Sequence, residues 1–194
     1  MVREALTGWG RTAPTTADVV RPADAGSVAS LLASPGARGA IARGLGRSYG
    51  DAAQNAGGTV VATPALDHMA WSDEAAGLLS AGGGTSLDTI LRALVPRGWF
   101  IPVSPGTRSV TVGGAIAADV HGKNHHADGS FMSWVDRVTL ATPVDSRCMH
   151  FLASIIESSD HIGDRAFKRR RQRADIVFDV QKVEPRHLGV RLQK

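Results

Sequence analysis

Short apolar runs separated by glycine-rich connections recur along the first 142 residues. Four of these runs have the length and residue types of strands: residues 17–21, 40–43, 59–63 and 77–81. Asp24, a residue type favoured at helix N-termini, is followed by apolar residues at helical spacing: Val28, Leu31 and Leu32. This alternation predicts an α+β domain built from short strands and short helices.

A second helix has a start signal and a stop signal in the sequence. Ser86 is a favoured N-cap, and four apolar residues at helical spacing follow it, namely Leu87, Ile90, Leu91 and Leu94. Pro96 and Gly98 end the pattern. Weaker patterns predict strands at residues 99–101, 135–142 and 176–180. They also predict a short helix of small residues at 113–118 and a weak helix at 151–156.

Charge divides the chain into two regions. The 194 residues carry 22 Lys+Arg and 18 Asp+Glu, and residues 1–144 hold 11 of each kind. The net charge of +4 therefore comes from residues 145–194, which also hold only 2 of the 22 glycines. Since 43% of the residues are apolar, the chain can bury a core and lies outside the disordered class. The later region is predicted to be a basic tail.

A single cysteine, Cys148, excludes an internal disulfide, and with it the small secreted scaffolds and the cysteine-rich zinc modules. No apolar run approaches the roughly 20 residues of a membrane span. The start of the chain also lacks the apolar segment of a secretory signal. We therefore expect a cytoplasmic protein in a reducing compartment.

The glycine loop after the predicted strand 40–43 is the first candidate binding element. Three glycines within seven residues allow backbone N–H groups to turn toward an anion, as in a phosphate-binding nest. The loop is not a Rossmann fingerprint, because Tyr49 stands where the third glycine is required, and no Gly-Lys-Ser/Thr of a Walker loop follows. Taken alone, it is equally compatible with a tight turn between strands.

A second stretch rich in small residues runs from Pro105 to His126. Small residues occur where a flat ligand or another backbone approaches closely. The histidines His121, His125 and His126 offer at most two ligands on one helical face, and no cysteine or glutamate accompanies them. We therefore expect no metal site, and we assign this stretch to anion and substrate recognition.

A basic run at residues 168–173 is a candidate for nucleic-acid binding, since five cations in six residues attract phosphate. No aromatic residue is interleaved with these cations, and no nucleic-acid motif surrounds them. We expect a solvated charge run and no nucleic-acid partner.

Three stretches together resemble the PCMH-type FAD-binding domain of the vanillyl-alcohol-oxidase type flavoproteins. They are Leu6–Pro14, Arg38–Asp51 and Pro105–His126. The third stretch ends in His-Gly-Lys-Asn-His-His at residues 121–126. This ending is more specific than the features that the whole family shares, and it resembles the sugar-oxidising branch of that family. The resemblance implies an α+β FAD-binding domain at residues 6–141, apparently incomplete, and a tail of unknown fold at residues 142–194 that does not resemble the family.

The resemblance also implies how the cofactor is held. FAD would bind noncovalently, because the first loop lacks the histidine through which many relatives attach the flavin. The pyrophosphate would be wrapped by Ala42, Arg43, Gly44, Leu45, Gly46, Arg47, Ser48, Tyr49, Gly50 and Asp51. The rest of the dinucleotide would be lined by Gly106, Thr111, Val112, Gly113 and Gly114, and the isoalloxazine by Ala118, Asp119, Val120 and His121.

The activity implied by the resemblance is oxidation of a lipid-linked ribose phosphate at its 2′-hydroxyl carbon, with the flavin accepting the hydride. His121 and Lys123 would act beside the flavin and the substrate, with Lys123 toward the phosphate. A partner reductase would consume the 2′-keto product, and the lipid-linked substrate implies peripheral association with a membrane. The family continues with a substrate domain, which we expect this chain to lack, so the alternative is a catalytically inactive FAD-binding remnant, truncated or frameshifted.

Overall fold

The fold is organised around two separate β-sheets. The computed structural model of the protein describes residues 1–11, 13–142, 146–150, 175–179 and 181–182. The predicted helix at residues 151–156 and the basic run at residues 168–173 lie outside the described residues.

The first sheet is four-stranded and has the order β1-β2-β4-β3. Its strands are β1 (Val2–Leu6), β2 (Thr15–Val20), β3 (Ala40–Arg43) and β4 (Thr59–Ala62). The first two strands pair antiparallel, and β4 pairs parallel with both β2 and β3. One face buries Ala17, Val19 and Val60, with Leu6 and Ile41 packed against them. The strand β1 is not predicted from the sequence, since its five residues include only three apolar ones.

The second sheet is five-stranded, antiparallel throughout, and has the order β5-β6-β10-β8-β9. Its strands are β5 (Met69–Asp73), β6 (Leu78–Gly82), β8 (Val135–Ala141), β9 (Ser146–His150) and β10 (Asp175–Asp179). A two-stranded ribbon pairs β7 (Trp99–Phe100) with β11 (Gln181–Lys182). Residues beyond 142 therefore contribute backbone to the sheets, and β10 lies one position before the predicted strand.

In the part of the chain that the structure describes, four helices connect or cover these strands: α1 (Ala25–Ala33), α2 (Leu87–Leu94), α3 (Val112–Ala117) and α4 (His125–Asp128). The predicted caps are confirmed, because Asp24 Oδ1 accepts from Ser27 N at 2.7 Å and Ser86 Oγ accepts from Thr89 N at 2.9 Å. A 3₁₀ turn follows α2 and ends at Gly98, whose φ of 77° is left-handed. The short helix α3 begins one residue before its predicted start.

The main core joins the second sheet to the helices that follow it. Its fully buried members come from β6, α2, α3, β8 and the segment between them, and include Leu79, Leu87, Ile90, Leu94, Ile101, Val103, Val112 and Val135. Burying a side chain of this size contributes about 1.5–3 kcal/mol to folding. The start of α3 is therefore anchored on a rigid base. Among the described residues, no helix is long and apolar enough to cross a membrane.

Candidate FAD-binding site

Residues 44–50, which we call the first glycine loop, leave the end of β3 without regular structure. Gly46 and Gly50 have φ values of 67° and 62°, in the left-handed region that favours glycine. Within the described part of the chain, no backbone N–H group of this loop donates a hydrogen bond to another protein group. Leu45, Ser48 and Tyr49 are exposed, Tyr49 to 79%. The loop thus presents unpaired N–H donors at the surface, which suits an anion.

Arg43 stands at the start of this loop, but its side chain is directed to the protein. Its guanidinium donates to the carbonyl oxygen of Thr7 at 2.7 Å and to that of Ala53 at 2.9 Å. Partial burial lowers the pKa of this group. The guanidinium is therefore a structural tie between three segments. That Arg43 contacts the cofactor stays a prediction. Such a contact would have to come from the Arg43 backbone.

Substituting Arg43→Met tests that structural role. We expect the variant to lose about 1–3 kcal/mol of unfolding free energy, because two partly buried carbonyls lose their donors. Chemical denaturation monitored by circular dichroism measures the loss in unfolding free energy. Arg21→Met is the control, since it breaks only an exposed ion pair with Glu4 and should change stability much less. Equal losses in the two variants would contradict the assignment.

In the second predicted segment, at the start of α3, the backbone N–H groups donate hydrogen bonds to other protein groups. Thr111 Oγ1 accepts from Gly114 N at 3.1 Å, Val112 N donates to Thr85 O at 2.8 Å, and Gly113 N donates to Gly83 O at 2.9 Å. The first turn of α3 therefore has no N–H left for a phosphate. The surface that it offers is the exposed side of Gly114, whereas the N–H groups of the first glycine loop make no such hydrogen bonds within the described residues.

The structure brings the two predicted segments into contact. A Cβ added to Gly44 would lie 2.5 Å from Thr111 Oγ1 and 3.0 Å from Thr111 Cγ2. Only a glycine allows β3 to pass this close to the N-cap of α3. The first glycine loop and the exposed side of α3 are thus adjacent parts of one surface.

A third glycine run, Gly82–Gly84, runs from the end of β6 toward α2, packs against the segment 63–68 that joins the two sheets, and is missed by the sequence reasoning. A Cβ on Gly84 would lie 1.8 Å from the carbonyl oxygen of Thr63, and one on Gly82 would lie 2.1 Å from that of Leu66. Gly84 N also donates to Leu66 O at 3.0 Å. The signal was visible as three consecutive glycines before a helix cap.

The residues predicted to lie along the flavin follow α3 at the surface. Ala118, Asp119 and His121 are exposed, as is Lys123. Asp119 has a left-handed φ of 39°, and its Oδ1 accepts from Met132 N at 3.0 Å. This bond fixes the turn that leads from α3 to His121.

The three histidines of this segment lie side by side. The ring centroids of His121 and His125 are 5.2 Å apart, and those of His125 and His126 are 3.9 Å apart. Across the described residues, no group of three His, Cys, Asp or Glu side chains could hold a metal ion. The segment therefore offers imidazoles and the Lys123 ammonium to a polar ligand.

A cleft of about 290 Å³ opens beside the first glycine loop, between Arg43, Gly44 and Leu45 on one side and the first sheet on the other. Its floor includes Leu6, Val19 and Ala62, and the Glu4–Arg21 ion pair also lines it. A larger cleft of about 370 Å³ lies between residues 23–25 and 65–68. None of the predicted cofactor residues lines that larger cleft.

Comparison with known proteins gives consistent matches. Residues 16–150 match the family model described as an FAD binding domain. The chain is 51% identical over 140 residues to decaprenylphosphoryl-beta-D-ribose oxidase of Mycolicibacterium smegmatis. The match covers 71% of this chain and 30% of that protein. It is 54% identical over 46 residues to an uncharacterized protein in the mprA 5′ region of Streptomyces coelicolor, covering 24% of this chain and 12% of that one.

Among solved structures, the fold is similar to that of an alkyldihydroxyacetonephosphate synthase. The TM-score is 0.64 at 15% sequence identity, and the match covers 89% of this chain and 33% of that one. The chain therefore spans about a third or less of the length of these relatives.

Proposed function

We propose a function from the premise that this chain belongs to the family of FAD binding domains. The proposal is that it binds FAD noncovalently, as the FAD-binding part of an oxidoreductase that oxidises the ribose 2′-hydroxyl of decaprenylphosphoryl-ribose. The observation that carries it is the first glycine loop, whose N–H donors have no protein partner among the described residues and which packs directly on the cap of α3.

The residues present fit a dinucleotide in three respects. The first glycine loop supplies donors for the diphosphate, and its left-handed glycines allow them to turn toward one side. Arg47 adds a cation, with its guanidinium carbon 4.4 Å from the Trp9 ring centroid. The exposed residues at the start of the stretch from Gly114 to His121 are small, namely Gly114, Ala117 and Ala118, and a flat ring system would lie along them.

Bound FAD would supply the acceptor for the hydride that leaves the sugar carbon. The chain's own residues would bind and orient the substrate. Lys123, an exposed ammonium, would pair with the phosphate of the lipid-linked sugar, and His121 would lie between that phosphate and the flavin. A lipid-linked substrate would draw the protein to a membrane surface, and a partner reductase would consume the keto product.

A second function is favoured by the exposure of the predicted catalytic residues. His121 and Lys123 both lie at the surface of the described part of the chain, and an open surface does not exclude water from the reacting carbon. The chain would then bind FAD without turnover. Anaerobic addition of decaprenylphosphoryl-ribose to the FAD-loaded protein separates the two: loss of visible flavin absorbance supports the oxidase, and an unchanged spectrum supports the inactive binding domain.

The noncovalent attachment gives a separate prediction. Since residues 46–50 hold no histidine, acid precipitation of the FAD-loaded chain should release all of the flavin into the supernatant. Absorbance of the supernatant and of the redissolved pellet measures the partition. Flavin that stays with the precipitated chain would contradict this part of the proposal.

A further inference from the structure

Residues 7–10, which we call the N-terminal clamp, contact the first glycine loop at several points. Trp9 N donates to Ser48 O at 2.8 Å, and the Arg47 guanidinium carbon lies 4.4 Å from the Trp9 ring centroid. Gly8 lies so close to the loop that an added Cβ would be 1.8 Å from the carbonyl oxygen of Gly50. The clamp thus touches the loop at three of its seven residues.

Beyond the clamp, the loop closely approaches the rest of the protein at Gly44, beside Thr111, and at Gly46, beside Arg43. Its N–H groups make no hydrogen bonds within the described residues, and Arg47 Nη1 donates to Leu45 O at 3.0 Å inside the loop itself. A loop whose backbone N–H groups make no hydrogen bonds has little of its own to hold them in one arrangement, and ordering such a loop on binding weakens the affinity for its ligand. Contacts from outside are therefore what can hold the unpaired donors in one arrangement.

The clamp is itself held to the sheet. Arg43 Nη2 donates to Thr7 O at 2.7 Å, and the side-chain amide of Gln54 donates to Leu6 O and to Thr15 Oγ1. Gln54 is 8% exposed, so this anchor lies inside the protein. The arrangement connects the end of the edge strand β1, through Trp9, to the exposed loop.

We propose that Trp9 is a positioning residue, which acts through Arg47 and Ser48 to hold the first glycine loop in the shape that receives the diphosphate of the dinucleotide. The inference rests on the proposed function, because it assigns the diphosphate to this loop. Trp9 is 53% exposed, so truncating its side chain removes the ring contact with Arg47 with little loss of core packing, and leaves the backbone hydrogen bond to Ser48 in place. Its effect should therefore be local.

The ligand dependence separates positioning from a general loss of structure. Trp9→Ala should weaken binding of FAD and of ADP by about fivefold, the size of an exposed cation–π contact, and should leave riboflavin binding unchanged. Trp9→Phe, which keeps an aromatic face for Arg47, should retain most of the parent affinity. Arg97→Ala is the control, since it removes a cation–π contact with Trp71 at 5.5 Å, together with an exposed ion pair to Glu74, far from the loop in sequence.

Trypsin cleavage after Arg47 gives a readout that needs no ligand. In Trp9→Ala the freed loop should be cut at this bond several-fold faster, with cleavage after other arginines unchanged, and Trp9→Phe should restore the parent rate. Parent-like cleavage and parent-like ADP affinity in Trp9→Ala would overturn the inference. Absence of FAD and ADP binding in the parent chain would instead refute the proposed function, and the cleavage rates would still decide whether Trp9 orders the loop.

Discussion

Gly84→Ala is expected to unfold the chain or to lower its stability more than any other single methyl addition discussed above. The new Cβ would lie 1.8 Å from the carbonyl oxygen of Thr63 and 3.0 Å from that of Leu66. Both neighbours are backbone atoms of the segment that joins the two sheets, so no side-chain rotation relieves the overlap. We expect a loss of about 3 kcal/mol or more in unfolding free energy, at the upper end of overpacking effects.

Thermal and urea denaturation of the purified variant measure this loss. Gly106→Ala is the matched control, because a Cβ added there has no other atom within 4 Å. It should unfold at the same temperature as the parent. Equal stability of the two variants would show that Gly84 does not pack against the segment between the two sheets as described.

Gly44→Ala is expected to weaken FAD binding by about tenfold or more, the second large effect. The methyl group would lie 2.5 Å from Thr111 Oγ1, so the first glycine loop and the cap of α3 would have to separate. An overpacking cost of about 1–3 kcal/mol corresponds to roughly a 5- to 150-fold loss of affinity if it acts on the binding-competent arrangement. Quenching of FAD fluorescence measures the dissociation constant.

A double-mutant cycle with Thr111→Ala tests the contact itself. Thr111→Ala alone removes the N-cap of α3 and should cost about 0.5–2 kcal/mol of stability. It also removes the two atoms nearest to the added methyl, so the double variant should bind FAD better than the product of the single effects predicts. Strictly additive effects would contradict direct packing between the two segments.

Much of the fold follows from local signals. The caps Asp24 and Ser86, the strand Ala40–Arg43 and the helix Leu87–Leu94 agree with the sequence prediction, because each is set by residues within a few positions of it. The family resemblance and the α+β FAD-binding fold are confirmed by the matches to known proteins. Strands that depend on a distant partner are where local reasoning fails.

Two strands show this limit. The strand Val2–Leu6 has too few apolar residues to predict a strand, and it forms by pairing with Thr15–Val20 over its whole length. Likewise, Met69–Asp73 carries polar residues at its end and is defined by its pairing with Leu78–Gly82. Cross-strand partners supply the stabilisation that neither segment has alone.

Only the locally encoded features of the candidate site could be predicted from the sequence. The two glycine segments are visible as unusual composition, and the structure brings them together at Gly44 and Thr111. The clamp contacts of Trp9 and the inward ties of Arg43 depend on chain segments far apart in sequence, so no local pattern reveals them. The roles of the individual predicted residues toward FAD stay predictions.

The claim that the first glycine loop and α3 hold FAD is tested most directly by titrating the purified chain with FAD. Two variants accompany it. Gly46→Val places a side chain at a φ of 67° and 2.6 Å from Arg43 Nη2, and Gly114→Val adds bulk to the exposed side of α3. The account predicts saturable quenching and a shifted visible spectrum with the parent, and loss of both in each folded variant. A folded parent that leaves the FAD signal unchanged, or variants that bind as the parent does, would contradict it.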